Sequence, residues 1–242
     1  MSGHSKWSTI KHKKAKTDAQ RGKIFTKIVR EITTAARLGG GDQEMNPRLR
    51  LAVIKAKDAN MPQDNIKRAI EKGAGNNGDD AYEDVMFEAY GPNGVAILIA
   101  TLTDNRNRTV PNLRTILGKF GGSLANKGAV SYLFDQKGVF LFDATQYSED
   151  QLMEVAISAG ADELEQKESE IEVTCPLTSF EPLKLAFDSA GYHPLSVSLG
   201  MVPQTVVTLS QADGERMVAL LEKLEEDDDV QEVFANCRFT DE

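Results

Sequence analysis

Ten residues near the start of the chain share one chemistry. Lys6, Lys11, Lys13, Lys14, Lys16, Arg21, Lys23 and Lys27 are cationic, His12 stands among them, and Trp7 is the single tryptophan. Their span is too polar to pack as a core. Closely spaced cations suit a phosphate backbone, because each neutralised phosphate releases counterions and adds about −0.7 to −0.9 to the log–log salt slope. Trp7 can stack on an exposed base, which is worth about 1–3 kcal/mol. The same residues also fit a solvated basic tail, with Trp7 sealing a helical bundle. Residues 1–72 carry 17 Lys+Arg against 7 Asp+Glu, whereas residues 73–242 carry 11 against 30. A net charge of −9 and a pI near 5.0 therefore conceal a basic module joined to an acidic body.

A second basic spot interrupts the acidic half at Asp104-Asn105-Arg106-Asn107-Arg108-Thr109, between a strand-like and a helix-like segment. Arg106 and Arg108 can grip phosphate through their guanidinium forks or pair with neighbouring carboxylates, and Thr109 can serve as a helix cap. Catalytic constellations are thin. Leu38-Gly39-Gly40-Gly41-Asp42 lacks GxGxxG spacing, and Gly118-Lys119-Phe120-Gly121-Gly122 lacks the order of a phosphate-binding P-loop, so both read as turns. His4, His12 and His193 have no metal-ligand spacing, and no GxSxG or paired Cys-His signature organises a nucleophile. We expect no enzyme activity, cofactor or metal. Glu225 to Asp229 would repel nucleic acid and reads as a solvated acidic turn or a surface for basic groups.

These groups must be positioned by folded elements, and 40% hydrophobic content allows real cores. Thr17 and Gln20 have capping-box spacing, and Ile24, Phe25, Ile28, Val29, Ile32 and Ala36 recur at helical intervals until Gly39-Gly40-Gly41. Asn46-Pro47 opens a second helix reaching about Asn60; Pro62 opens a third, with Gly73 as its left-handed cap. The linker GAGNNGDD from Gly73 marks a domain boundary. Beyond it, Val85 to Tyr90 and Val95 to Thr103 predict antiparallel strands around Gly91-Pro92-Asn93-Gly94, then a helix from about Val110 to Phe120 and a short strand at Ser131 to Phe134. From Val139 to Leu199 the order is βαββαβ, that of a ferredoxin-like sandwich. A strand at Thr205 to Leu209, a helix near Ala212 to Leu224 and Val230 to Phe234 complete the preceding unit.

The expected class is α+β: an N-terminal three-helix domain (1–78), a discontinuous α/β domain (79–135 plus 205–242) and an inserted ferredoxin-like domain (136–204). No apolar run spans a bilayer, the first residues lack a secretory h-region, and Cys175 and Cys237 are too few for a disulfide framework, so a cytoplasmic setting without membrane partners is expected.

MSGHSKWSTIKHKKAKTDAQRGKIFTKI, NPRLRLAVIKAKDANMPQDNIKRAIEKG, YGPNGVAILIATLTDNRNRT and GGSLANKGAVSYLF resemble the corresponding blocks of the YebC/PmpR family across essentially the whole chain. Its mitochondrial relatives include the translational activator of cytochrome c oxidase subunit I. The resemblance implies a cytoplasmic three-domain protein. It implies two functions as well: DNA-binding transcriptional regulation, or association with the ribosome through ribosomal RNA to help translation through difficult sequences such as proline runs. The leading expectation is a DNA-binding transcriptional regulator; the alternative is the ribosome-associated factor. No recognition-helix signature separates the two.

Overall fold

In a computed structural model, residues 18–75, 82–167 and 169–239 are described. The helical spacing of the basic segment produces α1 (Asp18–Gly39), α2 (Pro47–Asp58) and α3 (Gln63–Ala74). Gly40, at φ +85°, releases the chain from α1 in the left-handed region that favours glycine. Asn46 starts α2 by accepting from Leu49 N–H at 3.1 Å, while its amide donates to the carbonyls of Ala35 at 2.9 Å and Gly40 at 2.8 Å. One capping side chain thus ties two helices together. Ile32, Ala36, Leu49, Val53, Ile66 and Ala69 form the shared core. Gly73 departs from the expected cap. It lies inside α3, where an added Cβ would meet the Thr33 carbonyl oxygen at 2.3 Å, and Gly75 follows the helix with right-handed backbone angles. Close packing on α1, rather than chain reversal, explains the residue.

The first sheet has the order β3-β1-β2-β9, formed by β1 (Glu83–Tyr90), β2 (Ala96–Thr103), β3 (Ser123–Leu124) and β9 (Val230–Ala235). β1 and β2 pair antiparallel from Glu83↔Thr103 to Tyr90↔Ala96. Helices α4 (Arg106–Lys119) and α7 (Gln211–Glu225) cover one face through Leu113, Leu117, Met217, Leu220 and Leu221. The helix α4 begins four residues before the expected Val110, because Asn105 is its cap and accepts from Arg108 N–H at 3.2 Å. Thr109 is therefore a buried helical residue, and Arg106 and Arg108 belong to the first turn.

Ser131–Leu133 forms a 3₁₀ turn instead of a strand, leading into the long β4 (Phe134–Asp143). β4, α5 (Glu149–Ser158), β5 (Glu163–Lys167), β6 (Glu170–Pro176), α6 (Phe180–Ala190) and β7 (Ser196–Pro203) complete the inserted unit. Its sheet order, β5-β6-β4-β7 with all pairs antiparallel, is the ferredoxin-like arrangement. Phe140, Phe142, Phe180 and Phe187 fill the space beneath its helices. The short β8 (Val207–Leu209) pairs parallel with β10 (Cys237–Phe239). The fold is thus α+β, three helices followed by two α/β units with the ferredoxin-like one inserted in the other.

Candidate nucleic-acid interface

The seam between the helical bundle and the first sheet is built from the basic face of α1. Lys23 Nζ donates to the Glu226 carbonyl at 3.3 Å and Lys27 Nζ to the Glu225 carbonyl at 2.5 Å. Both carbonyls lie at the C-terminal end of α7, where unsatisfied oxygens and the helix dipole favour cations. Arg30 follows one turn later. It donates to the Asp228 carbonyl at 2.7 Å and the Leu102 carbonyl at 3.2 Å, and its guanidinium carbon lies 4.8 Å from the centre of the Tyr82 ring.

The acidic run is consequently more than a solvated turn. Asp229 is 3% exposed and accepts from Arg108 Nη2 at 2.7 and 2.9 Å, Thr109 Oγ1 at 2.8 Å, Thr103 Oγ1 at 3.2 Å and Arg30 Nη1 at 3.3 Å. Burial pushes its carboxyl up, but the Arg108, Thr109 and Thr103 hydrogen bonds outweigh burial and hold it below the ordinary carboxylate value. Arg108 also reaches Asp104 at 2.7 Å, and these two carboxylates raise the guanidinium further, Asp229 most strongly. The helix α2 is clamped as well. Arg48 bridges Glu31 at 2.7 Å and Asp84 at 2.8 Å, Lys55 bridges Glu232 at 2.5 Å, and Leu51 packs against the ferredoxin-like core.

Of the expected contact residues, Lys6, Trp7, Lys11, His12, Lys13, Lys14 and Lys16 lie outside the described residues, as does the side chain of Arg21. Lys23 and Lys27 meet at the seam. Arg108 joins them there through Asp229, whereas Arg106 is exposed and makes no ion pair among the described residues. Sequence reasoning missed Arg30 and Asp229, which stand 199 positions apart. Residues 105–134 contain Arg106, Arg108, Arg114, Lys119 and Lys127 and no Asp or Glu, a cationic stretch of which sequence reasoning used only Arg106 and Arg108.

On α3, Lys67, Arg68 and Lys72 alternate with Asp64 and Glu71 on the exposed side. Arg68 turns back to the Asn65 side chain at 2.8 Å and the Asp64 carbonyl at 3.2 Å. No group of three His, Cys, Asp or Glu side chains suited to a metal occurs among the described residues. Burial pushes the Cys175 thiol up to about 11 and the Cys237 thiol up to about 12, so both stay protonated near neutral pH. No described helix is long and apolar enough to cross a membrane.

Comparison with known proteins covers both halves of this arrangement. Residues 5–76 match the family model for the TACO1/YebC protein N-terminal domain, and residues 82–237 match that for the TACO1/YebC second and third domain. The chain is 50% identical over 243 residues to a protein of Syntrophus aciditrophicus named "Probable transcriptional regulatory protein", covering 100% of this chain and 97% of the relative. It is 50% identical over 242 residues to one of the same name from Geotalea uraniireducens, covering 100% and 98%. The crystal structure of a conserved hypothetical protein from Aquifex aeolicus is similar at a TM-score of 0.89 and 43% identity over 98% of each chain.

Proposed function

The chain belongs to the TACO1/YebC family, and on that premise we propose that it is a non-enzymatic, nucleic-acid-binding regulator of gene expression acting in the cytoplasm. The observation that carries this reading is the charge division, with 17 Lys+Arg against 7 Asp+Glu in residues 1–72 of a chain whose net charge is −9. The regulatory names of its relatives support the same direction. Our leading reading is transcriptional control through DNA. In it, Lys6, Lys11, His12, Lys13, Lys14, Lys16 and Arg21 contact phosphates, and Trp7 contributes a ring for stacking. Lys23 and Lys27 join only by releasing the carbonyls at the end of α7. Arg106 marks a second contact point, and Arg108 can contribute from its exposed edge while anchored to Asp229.

Ribosomal RNA is the second reading, with relief of stalling at difficult sequences such as proline runs. One observation favours it. A major-groove reader needs an unobstructed recognition helix, yet α2 is clamped at the seam and Arg68 on α3 is folded onto its own helix. Crosslinking the protein in growing cells and sequencing both the bound DNA and the bound RNA tests these readings. Promoter enrichment without ribosomal RNA supports transcription; enrichment on ribosomal RNA replaces it with the translation reading. Enrichment of neither removes nucleic acid as the partner. For sequence-specific DNA binding, promoter and scrambled duplex should differ by about 4–10 kcal/mol in vitro.

A further inference from the structure

The loop that follows β3 has an anchored underside and an exposed outer surface. Glu88, 5% exposed on β1, accepts from the backbone N–H groups of Gly128 at 2.6 Å, Val130 at 2.6 Å and Ser131 at 2.9 Å. Its own backbone carbonyl accepts from Ala125 N–H at 2.8 Å. Val130 is fully buried and packs with Ala96, Leu98 and Phe134. Residues 125–131 are thus fixed at both ends by β1, and loops held on a rigid scaffold are well suited to present side chains to a ligand.

The presented side chains are aromatic and cationic. Tyr132 is 68% exposed and Tyr90 40%, and they are the two aromatic rings among the exposed large apolar side chains of the described residues. Tyr132 follows Ser131 in this segment, and Tyr90, at the end of β1, reaches it through its hydroxyl, which donates to the Ala129 carbonyl at 3.2 Å. Lys127 is exposed at the tip, Lys119 is exposed at the end of α4, and the Arg216 guanidinium lies against Gly121. Among the described residues, Lys119 and Lys127 make no ion pair. The Glu88 carboxylate is enclosed and accepts from backbone donors rather than from these cations.

We propose that this loop is a binding site for unpaired nucleotides, with a base stacked on the exposed Tyr132 ring and the flanking phosphates held by Lys127 and Lys119. A duplex keeps its base faces inside the stack, so an exposed ring on a segment that also carries an exposed lysine selects single strands. The inference rests on the nucleic-acid reading above and adds to it a contact region from a different stretch of the sequence than the basic residues before α1.

The test measures binding of the full-length protein to fluorescein-labelled U12, dT12 and a 12-base-pair duplex. Tyr132→Ala should weaken U12 or dT12 binding by about 5- to 150-fold, the equilibrium equivalent of losing one base–aromatic stack. Tyr132→Phe should remain within about twofold of wild type, and duplex binding should not respond to either change. Lys127→Gln should reduce the single-strand salt slope by about 0.7. The U12 and dT12 arms distinguish RNA from DNA as the source of the single strand. A 4-thiouridine oligonucleotide should crosslink within residues 125–132. Unchanged single-strand affinity of folded Tyr132→Ala, or equal losses on duplex and single strand, overturns the site. If neutralising the early lysines abolishes binding while the loop variants do not alter it, the loop inference fails and the functional reading survives. If wild-type protein binds none of the three probes, both fail.

Discussion

Replacing Asp229 with Asn removes the charge shared by Arg30 and Arg108 while nearly preserving side-chain shape. Hydrogen bonds to charged groups contribute more than neutral ones, so this substitution should destabilise the chain by roughly 2–3 kcal/mol in urea unfolding. Its pH signature has a defined sign. The folded carboxyl lies below its unfolded value of about 3.9, so its stabilisation is complete above that value and is lost as pH falls through the lower folded value. Asp229→Asn should lack this part of the acid dependence, which unfolding between about pH 2 and 5 would reveal. Cys175 and Cys237 give another residue-scale expectation. Both are buried with raised thiols, so a disulfide-exchange reagent should modify them at the rate of structural opening, with denaturant accelerating the reaction. Rapid labelling of the native protein would contradict that assignment. The acidic composition of 225–229 was visible in the sequence, but the particular importance of Asp229 was not, because its cationic partners come from α1 and α4.

At the scale of elements, two helical glycines should respond oppositely to alanine. Gly118→Ala places its Cβ in open space and should stabilise the chain by about 0.5–1 kcal/mol through helix propensity. Gly73→Ala should destabilise it by about 1–3 kcal/mol, because the new Cβ meets the Thr33 carbonyl at 2.3 Å and forces α3 away from α1. Thermal unfolding of the two variants checks both signs. Gly73 illustrates the limit of local reading: a glycine near a predicted helix end has the sequence signature of a cap, and only the neighbouring helix distinguishes packing from reversal. Asn105 shows a second limit. A cap at Asn105, which starts the helix four residues before Val110, moves Arg106 and Arg108 from a loop into a helix, although the apolar stripe itself identifies α4. The ferredoxin-like order was legible because its strands and helices have distinct periods and short connections.

At the scale of the whole molecule, the proposed binding and the observed domain docking draw on the same kind of charge. Replacing Lys11, Lys13, Lys14 and Lys16 together with Gln should weaken nucleic-acid binding and flatten the log–log salt slope by about 3, while leaving the unfolding midpoint unchanged. Fluorescence titration over a salt series measures the slope; an unaltered slope would remove these lysines from the interface. By itself the sequence determined the division between basic and acidic segments, most of the secondary elements, the insertion and the resemblance, because composition, periodicity and short motifs are local properties. Tertiary structure decided which cations already have protein partners. Arg30 meets Asp229 across 199 positions and Arg108 meets it across 121, while Arg106 and Lys127 remain exposed. The physical reason is that an ion pair depends on separation in space, and only the packing of α1, α4 and α7 brings those distant groups within bonding distance.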